Sequence, residues 1–327
     1  MAKIKKNLAY MYGEDARIKI KGLASLFKES PQRTKYSLKL LEKDGILYNP
    51  YCIFDYSYFG LILFRMYFKG AYISEKDKEE IIKQLKENEF VVSIYELSGE
   101  FDLVLEIEAP NPSKFNKIIR EMSSKIPTFR HYKIVLNLVT HIYPRAYLTN
   151  DETLQSYFPL ELIIGGDRDV KNFTENEKGI IKCLLNNPKL RMSSIAKQSG
   201  LNIKTAKSLL KILTQKKVIR GFKFIIDTNK LNIYKFRLFL KLHNLSNERE
   251  EAMMDYLLKT KEIVQVHKTV GDWDLELDIE SPDKTTVRKL TIEIREGFRD
   301  IIETFNIMEF YHYYKRSYLP KYLFEKQ

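Results

Sequence analysis

Apolar positions along the chain keep two rhythms, and each rhythm occurs twice. Thr174 precedes Glu175 and Glu177, and Ile180, Ile181, Leu184 and Leu185 follow at helical spacing, so a capped amphipathic helix starts there. Asn186-Asn187-Pro188 ends it. Met192 opens a short helix carrying Ile195 and Ala196, Gly200-Leu201-Asn202 turns the chain, and a third helix runs from Ile203 to Gln215 with Ala206, Leu209, Leu210 and Leu213 on one face. A short helix, a glycine-containing turn and a second helix make a helix-turn-helix. Val218-Ile219 and Phe222–Ile226, around Arg220-Gly221, then read as the two strands of a wing. Near the N-terminus the same parts predict a recognition helix over Pro31–Lys43, with a wing of Ile46-Leu47 and Tyr51–Phe54 around Tyr48-Asn49-Pro50.

The second rhythm is that of strands. Phe59–Phe68 and Tyr234–Leu242 are dense in Leu, Ile, Phe and Tyr. Ser74-Glu75-Lys76-Asp77 caps a helix with apolar positions Ile81, Ile82 and Leu85, and Ser246–Lys259 does likewise. Val91–Leu97 and Phe101–Glu108 alternate around Ser98-Gly99-Glu100 as a hairpin. A helix over Pro112–Lys125 leads to a last strand over Arg130–Ile142. The order βαββαβ is ferredoxin-like, an antiparallel sheet with helices on one face, whose other face needs a partner.

The two copies lie at a constant offset of 172 residues. Ser98-Gly99-Glu100-Phe101-Asp102-Leu103 recurs as Val270-Gly271-Asp272-Trp273-Asp274-Leu275, Phe64-Arg65 as Phe236-Arg237, and Leu38-Lys39 as Leu210-Lys211. The fold class is therefore α+β, a tandem duplication. It has a winged helix-turn-helix over 1–54, a ferredoxin-like domain over 55–148, a linker over 149–172, a second winged helix-turn-helix over 173–226 and a second ferredoxin-like domain over 227–327. Each ferredoxin-like sheet is the obvious partner of the other, giving an intramolecular pseudo-dimer with which a homodimer of chains is compatible. In the linker, Gly165-Gly166-Asp167 supplies turn chemistry, and Phe158–Ile164 has the composition of an added strand.

Charge sharpens this picture. The 327 residues carry 55 Lys+Arg against 43 Asp+Glu, a net +12. Residues 1–54 hold 11 basic and 5 acidic side chains and residues 173–226 hold 12 and 2, so the excess sits in the two helix-turn-helix blocks. Such segregation is the footprint of a polyanion partner, because every phosphate neutralised releases condensed counterions. Double-stranded DNA is the expected partner. On the first recognition helix Gln32, Arg33, Lys35, Tyr36 and Lys39 face outward, and on the second Lys204, Thr205, Lys207, Ser208 and Lys211, with Arg220 and Lys223 on the second wing. Arg33 and Gln32 suit base edges, and the lysines suit phosphates.

Other classes find less support. The longest apolar run, Phe59–Phe64, is far too short to span a bilayer, and Gly13-Glu14-Asp15 interrupt the basic start, so neither a membrane span nor a signal peptide is expected and the protein reads as cytoplasmic. Two cysteines, Cys52 and Cys183, make no disulfide framework. No metal-binding or phosphate-loop motif occurs, and none of His131, His141, His243, His267 and His312 recurs at the offset. No cofactor, metal or catalytic residue is expected, and the chain is read as a non-enzyme.

A winged helix-turn-helix followed by βαββαβ, with Gly99-Glu100-Phe101-Asp102-Leu103 and Gly271-Asp272-Trp273-Asp274-Leu275 at the central hairpins, resembles the Lrp/AsnC family of prokaryotic transcriptional regulators. The resemblance implies sequence-specific DNA binding, pairing through the sheets, and a small effector, commonly an amino acid, bound near the hairpins, so that Gly99, Asp102, Gly271 and Asp274 are the implied effector positions. The residues themselves also admit a simpler role, in which the glycines permit the turn and the aspartates cap it. The family's usual unit is one module, and this chain departs by carrying two. Some proteins resembling the family, among them sirohaem decarboxylases built from paired or fused modules, bind tetrapyrroles instead of DNA. That enzyme, and a ligand sensor that has lost DNA binding, are the alternatives.

Overall fold

The computed structural model describes residues 2–70, 74–126 and 131–324, with backbone alone for residues 2–5. The first module contains α1 (Ala2–Glu14), α2 (Ile20–Leu26), α3 (Pro31–Lys43), β1 (Leu47–Phe54), β2 (Ile62–Phe68), α4 (Glu75–Glu87), β3 (Val91–Ser98), β4 (Leu103–Ala109), α5 (Pro112–Lys125) and β5 (Tyr132–Ile142). A connecting segment carries α6 (Glu152–Gln155) and β6 (Leu162–Gly165). The second module repeats the order with α7 (Glu175–Asn186), α8 (Met192–Gln198), α9 (Ile203–Gln215), β7 (Ile219–Ile226), β8 (Tyr234–Leu242), α10 (Asn247–Lys259), β9 (Ile263–Val270), β10 (Leu275–Ser281), α11 (Lys284–Gly297) and β11 (Ile302–Arg316). The last strand of the first module was expected from Arg130, which lies outside the described residues. Among those residues no helix is long and apolar enough to cross a membrane.

Compactness groups the chain by kind of domain, not by module. One unit comprises Met1–Asp55, Pro144–Leu160 and Asn172–Asn232, and the other Tyr56–Tyr143, Glu161–Lys171 and Ile233–Gln327. The segment read as one linker is thus shared, and its second half supplies β6, antiparallel to β5.

In the first unit the helix starts follow the residues that predict them. Thr174 and Glu177 form a reciprocal capping box at α7, and Ser30 and Asn202 cap α3 and α9 through the amides of Arg33 and Thr205. The wings differ from expectation. Instead of two separate hairpins, β1 and β7 each run unbroken and pair with one another, antiparallel, from Leu47↔Ile226 to Phe54↔Ile219. The predicted turns survive as irregularities in that ladder, one at Asn49-Pro50, where Asn49 takes a φ of 41°, and one at Arg220. Two-residue hairpin arms bury too little to stand alone. Eight-residue strands bury Ile53, Phe54, Phe224 and Ile225 together.

In the second unit each module's own strands run β5-β2-β4-β3 and β11-β8-β10-β9, the ferredoxin-like order. The long last strands join them. β5 pairs with β2 through Tyr132–Asn137 and with β9 through Leu136–Ile142. β11 pairs with β8 through Ile302–Glu309 and with β3 through Glu309–Arg316. The pairing closes eight strands into a ring with β6 attached beside β5, which removes the open edges that invite aggregation. Alternation then sorts the side chains. Phe64, Met66, Leu103, Leu105 and Ile107 pack against α4 and α5, while Leu238, Leu240, Leu275, Leu277 and Ile279 form the matching core of the second module.

Candidate nucleic-acid interface and ligand-binding sheet

On α3 the helical period buries Thr34, Leu38 and Leu41 and leaves Gln32, Arg33, Lys35, Tyr36 and Lys39 exposed. Among the described residues the Arg33 side chain is anchored by Glu29, 3.4 Å away, and it is 71% exposed. On α9 the buried residues are Ala206 and Leu213, with Lys204, Lys207, Ser208 and Lys211 exposed and Thr205 half-buried. Each recognition helix therefore presents a polar, cationic face opposite its core face. The wing residues behave otherwise. Lys223 is buried and pairs with the carboxylate of Glu14, which also takes the Arg145 guanidinium at 3.2 Å. Its assignment to DNA is corrected on that ground, because inter-module strand pairing turns it inward. Arg220 is half-buried at the strand irregularity.

The two hairpins repeat one clasp. Asp102 accepts the Gly70 amide at 3.0 Å and faces Lys69 at 3.3 Å, and Lys69 donates to the Gly99 carbonyl at 3.2 Å. Asp274 accepts the Leu242 amide at 2.7 Å and the Lys241 ammonium at 3.1 Å, and Lys241 donates to the Gly271 carbonyl at 3.1 Å. Gly99 and Gly271 have φ of 144° and 145°, in the region that favours glycine. All four predicted effector positions thus take part in holding the turn. The tips converge on a residue that sequence reasoning passed over: Lys133 lies 3.1 Å from Glu100 and 3.2 Å from Asp272, with the rings of Phe101 and Trp273 beside it. Nothing in the sequence marks it, since its counterpart at the offset is Phe305.

The faces of the strands turned away from the helices hold a charged network, also unforeseen. Arg65 meets Glu106 at 2.8 Å and, at very short range, Glu276, with His267 Nδ1 at 3.3 Å. Arg237 meets Asp278 at 2.7 Å and the hydroxyls of Tyr67 and Tyr95. Burial alone would raise the Asp278 carboxyl, but Arg237 and Lys235 hold it well below the ordinary carboxylate range. Burial, and then the charges of Arg65 and Arg237, push the His267 imidazole well below its ordinary value. The repeated Phe-Arg pair at 64–65 and 236–237 was the visible signal. Alternation as in Leu275-Glu276-Leu277-Asp278 reads as a solvent face until the ring closes over it. Among the described residues no group of three or more His, Cys, Asp or Glu side chains is arranged to hold a metal ion.

Comparison with known proteins adds three findings. The family model of the Lrp/AsnC ligand binding domain matches residues 70–146, and that of a winged helix-turn-helix DNA-binding domain matches residues 173–220. The HTH-type transcriptional regulator FL11 of Pyrococcus horikoshii is 33% identical over 105 residues, which are 32% of this chain and 68% of that protein. Over 97% of this chain and 93% of its own, the solved siroheme decarboxylase NirDL shares the fold with a TM-score of 0.57 at 14% identity, and its co-complex with an iron-uroporphyrin III analogue gives 0.56. The expectation of a non-enzyme is corrected here, because two solved structures that match over 97% of this chain are those of an enzyme.

Proposed function

This chain belongs to the Lrp/AsnC family, and on that premise we propose that it is a transcriptional regulator that reads an imperfect DNA palindrome with α3 and α9 of a single chain. It is a DNA-binding regulator with a ligand-binding domain. The observation that carries the finer reading is the exposed basic face on both recognition helices, held in one compact unit by the β1–β7 ladder. Arg33 and Gln32 stand where the other helix has Thr205 and Lys204, so the two half-sites differ in sequence. Half-site centres fall about one helical turn of DNA apart, or a multiple of it. A small effector such as an amino acid acts at the hairpin tips around Lys133. Selection from random duplex pools at two salt concentrations tests this. An enriched bipartite motif with steep salt dependence is expected, and no retention at low salt defeats it.

A second reading rests on the whole-chain fold shared with NirDL, an enzyme acting on a tetrapyrrole. Titration of the protein with iron uroporphyrin, followed by absorption, would favour that reading if a saturable shift of the porphyrin band appeared.

A further inference from the structure

A cavity of about 390 Å³ lies between the end of β5, the segment before β6, α10 and Lys268 of β9, within the second unit and clear of both hairpin tips. Its volume suits a small molecule. His141 and Tyr143 come from the end of β5, Glu161 from the connecting segment, and Glu251, Met254, Asp255 and Leu258 from α10. His141 Nδ1 lies 2.7 Å from Glu161 Oε1, so Nδ1 donates to the carboxylate, and in the neutral imidazole of that tautomer Nε2 is the acceptor. That Nε2 and the Tyr143 hydroxyl are both buried without a hydrogen-bonding partner among the described residues, and Tyr143 is only 3% exposed. Two such orphaned groups lining one cavity are costly unless something answers them. Burial and the nearby Glu161 charge raise the phenol's pKa, which keeps it protonated.

The repeat does not require this pair. At the offset of 172, Tyr313 stands for His141 and Lys315 for Tyr143. The charge of the walls points to the ligand. Lys268 is taken by Glu250 at 2.6 Å and Glu161 accepts from His141, which leaves the carboxylates of Glu251 and Asp255 as the cavity's net negative charge, while Met254 and Leu258 offer apolar surface.

We propose that this cavity binds a small aliphatic amine, its ammonium received by His141 Nε2 and the Tyr143 oxygen beside Glu161, its methylenes along Met254 and Leu258. Calorimetric titration of the full chain with putrescine and 1,6-diaminohexane tests it, with succinate as the anionic control and no DNA present, so the outcome is independent of the regulator reading. Saturable one-site binding of a diamine is expected. His141→Gln, Tyr143→Phe and Asp255→Lys should each weaken it at least tenfold, and Glu79→Lys, on exposed α4, should leave it unchanged. Asp255 is exposed, so its variant reads the site even where a buried substitution fails to fold. Absence of saturable amine binding, equal binding of succinate, or equal weakening by Glu79→Lys would overturn the proposal.

Discussion

If α3 and α9 read DNA as proposed, Arg33 and the lysines of α9 serve different parts of recognition, and their variants should separate. On that reading, reversing Lys204 and Lys207 to Glu would remove sequence-independent pairing with phosphates. Affinity should then fall on every duplex, with the salt slope reduced by about 1 for each phosphate left without its lysine. Arg33→Ala should relax preference at particular base pairs, at a cost of about 1–3 kcal/mol. Unchanged affinity in both, by competition binding, would remove the groove assignment. Within the sheets, Asp278→Asn strands the buried Arg237 guanidinium and should cost about 3–5 kcal/mol in urea unfolding. The pH dependence follows from the shifts. Asp278 has a folded pKa below its unfolded one, so its contribution is present at neutrality and lost as pH falls below the ordinary carboxylate range. His267 stays neutral in the fold while the unfolded chain takes up a proton below about pH 6.5, so it too lowers stability on acidification. Stability should therefore decline below about pH 6.5 through His267 and further below about pH 4 through Asp278, and His267→Gln should remove the first of these declines.

At the scale of elements, caps and periodicity predicted α3, α5 and α9 with both limits and the starts of α4, α7 and α8, because the information is local, whereas α1, α2, α6 and α11 were not singled out. Thr174, Ser74 and Ser246 each sit one residue before the helix they start. The wings failed for the opposite reason. Arg220-Gly221 and Tyr48-Asn49-Pro50 have turn chemistry, and only the long-range pairing of β1 with β7 converts those turns into bulges. β6 shows the same dependence. Its last residue, Gly165, has a φ of 86°, and a Cβ there would lie 2.6 Å from the Leu138 carbonyl and 2.7 Å from the Tyr56 hydroxyl. Gly165→Ala should thus destabilise the protein by about 1–3 kcal/mol and loosen β6. Hydrogen exchange at Ile163 and Ile164 unchanged from the parent would contradict this.

For the whole molecule, the exchange of β5 and β11 between the modules makes each half structurally incomplete. Residues 1–148 and 173–327, produced separately, should expose unpaired strand edges at β3, β9 and the ends of β5 and β11, and self-associate. Produced together they should copurify as a one-to-one complex with the far-ultraviolet spectrum of the intact chain. Two well-behaved monomeric halves would show that the ring is not needed for folding. The closed ring also explains why ionic residues occupy its inner strand faces. Arg65 satisfies carboxylates of both modules at once, Glu106 and Glu276, while Arg237 pairs with Asp278 and Glu276 of its own module and donates to the Tyr67 and Tyr95 hydroxyls of the other.

The duplication, the α+β modules, the capped helix starts and the basic faces of α3 and α9 are legible from the amino-acid order alone, since each rests on spacing or on charge summed over short segments. Tertiary structure alone decided what lies between the copies. The ladder of β1 with β7 turned Lys223 inward, ring closure buried Glu276 and Asp278, and the meeting of strand ends brought Lys133 to both hairpins and His141 to Glu161. These contacts join residues far apart in the chain, and no local pattern specifies which distant strand edge a given strand will meet.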